Sequence, residues 1–240
     1  DTATKAKLID IPSVKWPGHF LNWSADGRRL CVVEKLLNAA WVRVLESNDH
    51  WKTYQLLCEF SVPELHLPSH LGNDSLITYE RNVETKAYEV CWYNLDGGRV
   101  RTLEVPRSRN FAISFDECLL AVATDVAIEV FDVNLGDRIA RFSDVLNPWC
   151  LQFSDDDRLL ISCHLNGSVH AWHLPTQTRI GQLKFLSARP DLSGVDFELA
   201  RLGDSSGFVF GLLSKGNPVS ARNQYFLITL GQNRLPQQAQ

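Results

Sequence analysis

The 240-residue chain contains no methionine, no Cys-x-x-Cys pair, no P-loop and no G-x-G-x-x-G sequence. Each absence removes a class of function. Without closely paired cysteines, a zinc ribbon or a disulfide framework has no starting point. Without a glycine-rich loop opening a helix, a nucleotide has no backbone cradle. No serine or cysteine stands in a recognisable His-paired signature of a hydrolase. No apolar run approaches the ~18 to 20 residues that a transmembrane helix needs, and no segment holds a 3.6-residue apolar period over three turns. Positive charge is not in excess either. The formal net charge is -4, which argues against a broad cationic surface for phosphate backbones. The lack of methionine in a chain that starts at Asp1 reads as a processed chain or a piece of a longer one.

What is present is ordinary globular material, with 45% hydrophobic and 22% charged residues, enough to bury a core in one all-β domain. Cys31, Cys58, Cys91, Cys118, Cys150 and Cys163 lie mostly in apolar runs such as LCVV, ECLLA and ISCHL. They read as reduced, buried thiols of an intracellular protein, cytoplasmic or nuclear. No cofactor and no membrane contact are expected.

The dominant signal is an internal repeat. Phe111 to Phe142 and Trp149 to Leu183 each run through a short apolar strand, an acidic turn, a Leu-Leu strand, a tight turn, an aromatic-bearing strand, a second turn and a strand opening with Arg-Ile. Phe115 aligns with Phe153, Leu119-Leu120 with Leu159-Leu160, Phe131 with Trp172 and Arg138-Ile139 with Arg179-Ile180. Earlier copies occupy about 20–60 and 65–105. The apolar slot closing the third strand falls at Leu45, Cys91, Phe131 and Trp172. Asn166-Gly167 between two apolar strands is the pair a two-residue type I′ hairpin requires, since both central positions need positive φ. A period of ~40 to 45 residues with four strands per unit is that of propeller blades.

FSDDDRLLISCHLNGSVHAWHLPTQTRIGQL and WSADGRRLCVV resemble the WD40-repeat family's succession of a strand, a Ser-Pro-Asp-Gly-type turn, a Leu-led strand and a Trp-Asp end. The resemblance covers about residues 18 to 186. It implies an all-β β-propeller of four-stranded antiparallel blades over residues 1–234. About five blades are visible, at roughly 18–60, 61–105, 106–142, 143–186 and 187–234, a number compatible with part of a seven-bladed ring. KAKLIDI near the start is expected to supply an outer strand that closes the ring, and residues 235–240 to be a disordered tail. The family's roles imply a protein-protein interaction module, a scaffold, adaptor or substrate receptor, including ubiquitin-ligase subunits. The chain is therefore read as not an enzyme and as a subunit of a larger complex with protein or peptide partners and no nucleic acid.

Recognition in such a fold belongs to the loops at one end of the blades. By the family's strand order these loops include Asn82 to Lys86, Pro106 to Asn110, Thr124 to Val126 and Asn166-Gly167. Arg107 and Arg109 offer two guanidinium groups within three residues, suited to bidentate pairing and stacking. Lys86 and Asn166 complete the candidate protein-binding set. Two other readings remain open. A glycan-processing propeller needs two carboxylates at a defined separation, for which Asp196 and Glu198 are the best-placed pair. An RNA-binding propeller needs a Lys/Arg patch with exposed aromatics. Cys163, His164, His170 and His173 sit close together, but strand alternation lets at most two converge, short of the three or four ligands zinc takes.

Overall fold

The structure is a computed structural model. It describes residues 19–24, 26–35, 39–49, 53–63, 65–72, 74–108, 110–143, 145, 147–184, 195–201, 207–214 and 224–229, with side chains described between Leu21 and Leu183 apart from 35 and 63–69. Among these residues every regular element is a strand. Four successive stretches each fold into a four-stranded antiparallel meander, the form of a propeller blade. Blade 1 comprises β1 (His19–Trp23), β2 (Arg29–Lys35), β3 (Ala39–Glu46) and β4 (Gln55–Pro63). Blade 2 comprises β5 (Leu65–Leu71), β6 (Ser75–Arg81), β7 (Tyr88–Asn94) and β8 (Arg99–Val105). Blade 3 comprises β9 (Asn110–Ile113), β10 (Leu119–Ala123), β11 (Ile128–Asp132) and β12 (Arg138–Phe142). Blade 4 comprises β13 (Pro148–Phe153), β14 (Leu159–His164), β15 (Ser168–His173) and β16 (Thr178–Lys184). A three-stranded sheet follows, with β17 (Val195–Arg201), β18 (Gly207–Ser214) and β19 (Gln224–Thr229). The chain divides into two compact units, Asp1–Arg107 and Ser108–Gln240. KAKLIDI and the tail 235–240 lie outside the described residues.

The first turn of three blades is the same machine built from one short phrase. In Ser24-x-Asp26, Ser114-x-Asp116 and Ser154-x-Asp156 the serine hydroxyl donates to the aspartate at 2.6 to 2.7 Å. The aspartate accepts the N–H of Arg28, Cys118 or Arg158 at 2.9 to 3.1 Å. The serine oxygen in turn accepts the N–H that opens the second strand, at 2.8 to 2.9 Å. The residue after each aspartate, Gly27, Glu117 or Asp157, takes φ between 53 and 68°. This alignment corrects one sequence match. Phe153 corresponds to Ile113, since each is paired with the second leucine of its pair, Leu160 or Leu120, while Phe115 sits in the turn and is exposed. The hydroxyl cap, not the aromatic identity, sets the frame.

Blade 2 lacks this cap. Its β5–β6 connection is a tight turn closed by Gly72 N–H to Ser75 O at 2.8 Å, so counting from the other blades slips by two residues. Register puts Tyr93, not Cys91, opposite Leu76, just as Leu45, Phe131 and Trp172 lie opposite Leu30, Leu120 and Leu160. The hairpin at Asn166 also differs from expectation. His164 O accepts from Gly167 N at 2.9 Å, and only Gly167 has positive φ, 76°. The loop is thus a three-residue turn with glycine in the left-handed position.

Each unit has its own core, formed where one blade's small and β-branched face covers the next blade. In the first unit Cys31, Val33, Val42, Val44 and Val62 pack on Leu71, Leu76, Cys91 and Tyr93. In the second, Ala121, Ala123, Ile128, Val130 and Phe142 pack on Leu151, Phe153, Leu160 and Trp172. The outermost strand of every blade bulges at the same place, opposite the aromatic slot, so that Leu57, Val100, Ile139 and Ile180 are each an extra residue. A bulge of this kind breaks the regular edge that another strand would pair with.

Candidate functional site

In the second unit the connections at one end of blades 3 and 4 are tied together by backbone alone. Asn147 N–H donates to Asp125 O at 3.3 Å, and Leu165 N–H to Asn147 O at 3.2 Å. Asn147 takes φ 48°, which turns both of its backbone groups toward neighbouring loops. Thr124 closes the β10–β11 turn, its oxygen accepting from Ala127 N at 3.0 Å. With the backbone fixed, side chains project outward: Asp125, Val126 and Asn166 are exposed. Asn166 also shapes its own turn, its carbonyl oxygen accepting from Ser168 N and Oγ at 2.9 and 2.7 Å.

In the first unit Lys86 and Arg107 lie at the same end of blade 2, because Tyr88 is paired with both Arg81 and Val105. Asn82 organises the β6–β7 loop by accepting from Glu84 N and Thr85 N at 2.9 and 3.0 Å. Lys86 sits at φ 62°, the turn position that Gly136 fills at φ 76° in the β11–β12 loop, which has the same turn form and is capped by Asp132. Its ammonium donates to the Val83 carbonyl. Tyr79 stacks on Tyr88 at 5.6 Å and donates to Pro106 O at 3.3 Å, holding the chain just before exposed Arg107. Arg109 lies outside the described residues.

Sequence reasoning missed a second polar feature, buried in the sheets. In blade 4 the Trp172 indole N–H donates to Ser162 Oγ at 2.8 Å, and Ser162 Oγ lies 2.9 Å from His164 Nε2. The equivalent positions in blade 2 carry Tyr93, Thr78 and Glu80, and there both hydroxyls donate to Glu80. Blades 1 and 3 have Leu45 with Val32 and Phe131 with Val122 at the same places. A hydroxyl thus appears beside the slot only where the aromatic brings a polar group to be satisfied. Around Glu80, Arg99 also pairs with Glu89 at 2.7 Å. Burial, reinforced by the Glu80 charge, raises the Cys91 thiol to about 12 and pushes the Tyr93 phenol upward. Such a thiol is inert as a nucleophile.

The remaining candidates resolve into structure. His164 and His170 converge, ring centroids 4.2 Å apart, while Cys163 pairs with Val169 on the other face. Among the described residues no three His, Cys, Asp or Glu side chains gather to hold a metal ion. The six thiols form no disulfide among the described residues. Cys118 is half-buried in a turn and not on a strand. A cleft of about 260 Å³ lies along the β3–β4 loop, but its Asp49 is engaged by Ser47 and twice by Thr53 at 2.6 to 2.9 Å. Asp196 and Glu198 stand on β17, with side chains outside the description. Gly203-Asp204-Ser205-Ser206-Gly207 has G-x-S-x-G spacing, yet it joins antiparallel β17 and β18, whereas a nucleophile elbow leads from a strand into a helix. No helix among the described residues is long and apolar enough to cross a membrane.

No protein-family model matches the chain, and no curated protein matches it in sequence. Solved structures do. One of hydrazine synthase from Kuenenia stuttgartiensis is similar with a TM-score of 0.62 at 14% identity, over 88% of this chain and 62% of that one. One of the mitotic checkpoint complex is similar with a TM-score of 0.57 at 14% identity, over 85% and 65%. The chain thus spans less than two thirds of either structure's chain. These likenesses establish the β-propeller fold. They also correct the expectation that the chain is not an enzyme. That expectation rested on the fold, and a similar propeller occurs in hydrazine synthase, an enzyme. The fold therefore gives no ground for excluding catalysis.

Proposed function

We propose that the chain is a protein-interaction propeller of WD40 type that recognises a protein or peptide through the loop ends of its blades, with Lys86, Arg107, Arg109 and Asn166 in the recognition set. The observation that carries this reading is the pairing of fixed backbone with outward side chains at the blade 3 and 4 loops, where Asp125, Asn147 and Leu165 are linked through main chain and Val126 and Asn166 stay exposed. Preordered loops bind without a large ordering cost. The Ser-x-Asp turn repeated in three blades supports the WD40 assignment. A propeller of similar fold in the mitotic checkpoint complex supports membership of an assembly, in which a scaffold, adaptor or substrate-receptor role follows.

The test is a paired measurement on Arg107→Ala/Arg109→Ala and on Lys86→Ala/Asn166→Ala. Thermal unfolding should move by no more than about 0.5 kcal/mol for the arginines, as for other surface sites. Partner recovery in affinity purification should fall as a loss of ~2 kcal/mol or more at a hot spot demands. Unchanged recovery with both variants would refute the assignment of these loops. Recovery abolished by ribonuclease would replace it with RNA binding.

A further inference from the structure

Blade 4 sets two thiols opposite each other. Cys150 on β13 is the direct partner of Cys163 on β14, and residues paired in this way project from the same face of a sheet. That face is opposite to the one on which Leu151, Phe153, Leu160 and Trp172 meet blade 3. Ser154 N–H donates to Leu159 O at 2.9 Å where the hairpin closes. An antiparallel ladder repeats every two residues, so Cys150–Cys163 is again a hydrogen-bonded pair, with Cα atoms ~5.5 Å apart. A disulfide takes a Cα separation of ~4.4 to 6.8 Å. Neither thiol is in a disulfide in this structure. Burial, with the neighbouring Cys150 thiol, holds Cys163 above its ordinary range.

Blade 1 offers the contrast. Cys31 and Cys58 both pair with Val44, one from each side, so two strand spacings, ~9.6 Å, separate them and a bridge is out of reach. The surroundings of the blade 4 pair give it a further meaning. The register shifts at Trp149, between Pro148 and Cys150. Just beyond, Leu165 N–H donates to Asn147 O at 3.2 Å. The two thiols therefore sit beneath the backbone link that fixes the loop end of the blade.

From this placement we propose that Cys150 and Cys163 form a reversible redox site, closed to a disulfide by a peroxide, that controls the loop end of blade 4. Cys150 is 9% exposed and Cys163 0%, so Cys150 meets the oxidant first. Its thiolate attacks one oxygen of hydrogen peroxide, the O–O bond breaks, and the other oxygen leaves as hydroxide, which takes up the thiol's proton to become water. Cys163 then attacks the Cys150 sulfur. The S–S bond forms, the S–O bond breaks, and the second oxygen leaves as water with the Cys163 proton. Two electrons pass from the thiols to the peroxide, and a dithiol returns them. Closure draws the β-carbons from ~5.5 Å to ~3.8 Å, which two strands joined by a ladder meet only by tilting. The Trp149 bulge lets β13 yield, and the long Leu165–Asn147 bond parts first. A bridge held in this way is readily reduced. The site stands whether or not the loops bind a partner.

The test treats the full chain with hydrogen peroxide, blocks the remaining thiols with iodoacetamide and identifies tryptic peptides by mass spectrometry. Residues 142–158 and 159–179, each holding one of the two cysteines, should appear joined with the loss of two hydrogens and come apart in dithiothreitol. By NMR the Leu165 amide should exchange with solvent about tenfold faster in the oxidised chain, as loss of its local protection requires. In Cys150→Ala, and equally in Cys163→Ala, that rate should not respond to peroxide. An unlinked pair, whether still reduced or with Cys150 carried to a sulfinic acid, would overturn the proposal. So would links spread among all six thiols, which would mean that only the unfolded chain oxidises. A link that leaves Leu165 exchange unchanged would overturn control of the loop end.

Discussion

Changing Ser162→Val and Trp172→Phe, singly and together, rewrites the polar slot of blade 4 as the apolar slot of blade 3, which holds Val122 and Phe131. Trp172 is 3% exposed and its indole N–H has Ser162 Oγ at 2.8 Å. Replacing it by Phe removes ~40 Å³ of packed volume, about 1 kcal/mol at ~24 cal/mol per Å³. The lost hydrogen bond adds about 1 kcal/mol. Ser162→Val leaves a buried indole N–H without its acceptor, a cost of about 1 to 3 kcal/mol. It also removes the hydroxyl beside His164, but that loss is the same whether residue 172 is Trp or Phe and cancels in the cycle. The double variant has no indole N–H to strand. It should lose about 1 to 1.5 kcal/mol less than the sum of the singles, beyond the ~0.3 to 0.5 kcal/mol scatter of independent sites. The assay is chemical denaturation of the four proteins followed by far-UV circular dichroism, because tryptophan fluorescence would change with the substitution itself. Additive losses would show that the Ser162 hydroxyl is incidental to Trp172, and would refute the reading that slot and hydroxyl are chosen together.

Three further outcomes follow from the turns. Asp157 of blade 4 accepts the N–H groups of Phe115 and Asp116 in blade 3 at 2.7 and 3.1 Å; Asp157→Ala should destabilise the protein by about 1 to 2 kcal/mol and Asp157→Asn by less, measured by thermal unfolding. Lys86→Gly relieves a left-handed residue at a cost of glycine's extra unfolded entropy, so it should stabilise by about 0.5 kcal/mol, and Gly136→Lys at the matching position of the like-formed β11–β12 turn should do the reverse. The carboxyl of Asp26 is held below the usual range by the Ser24 hydroxyl and the Arg28 N–H. At Asp116 and Asp156 burial works upward but is outweighed by the serine hydroxyl and a backbone N–H, so these too are lowered. A depressed folded pKa means stability that is complete above the unfolded carboxyl range and is lost as pH falls through the folded value. Ser114→Ala/Ser154→Ala should therefore be less stable at neutral pH and lose less on acidification, tested by urea unfolding at pH ~7 and pH ~3.

Strand order and the spacing of blades 3 and 4 are legible in the sequence because both depend on local chemistry. The Ser-x-Asp phrase closes its turn with atoms from six consecutive residues, and the leucine pairs follow it at once. Where a blade drops that phrase, the frame must come from pairing across strands, which a single sequence does not display. This is why Cys91 looks like the slot residue and Tyr93 is the one that fills it. Lys86 and Gln177, both left-handed, are likewise invisible to propensity, since the loops around them impose the conformation. The bulges at Leu57, Val100, Ile139 and Ile180 read as ordinary apolar strand positions, yet alternation fails there. The candidate binding residues were legible only as loop members, because the backbone links among Asp125, Asn147 and Leu165 form between segments far apart in sequence.

The bulges bear on how the blades stay separate entities. A sheet with a regular outer edge can add a strand from any chain, and an apolar residue on that edge would favour the addition. Here the extra residue interrupts the hydrogen-bond ladder at the point where the inner aromatic slot lies. In the second unit the interruption is also put to use. Ile139 O, at the bulge of blade 3, accepts from the Gln177 side chain of blade 4 at 3.0 Å, and Asp157 reaches back to the blade 3 turn from the same neighbour. The two contacts grip blade 3 at its first turn and at its outer strand, so blade 4 holds it at its inner and outer ends while the packed faces fill the space between. Rotation of one blade against the other would break both polar contacts and part Phe142 from Trp172 together. Loops carried on the opposite end of such a pair inherit that rigidity, which is the physical condition for using them in recognition.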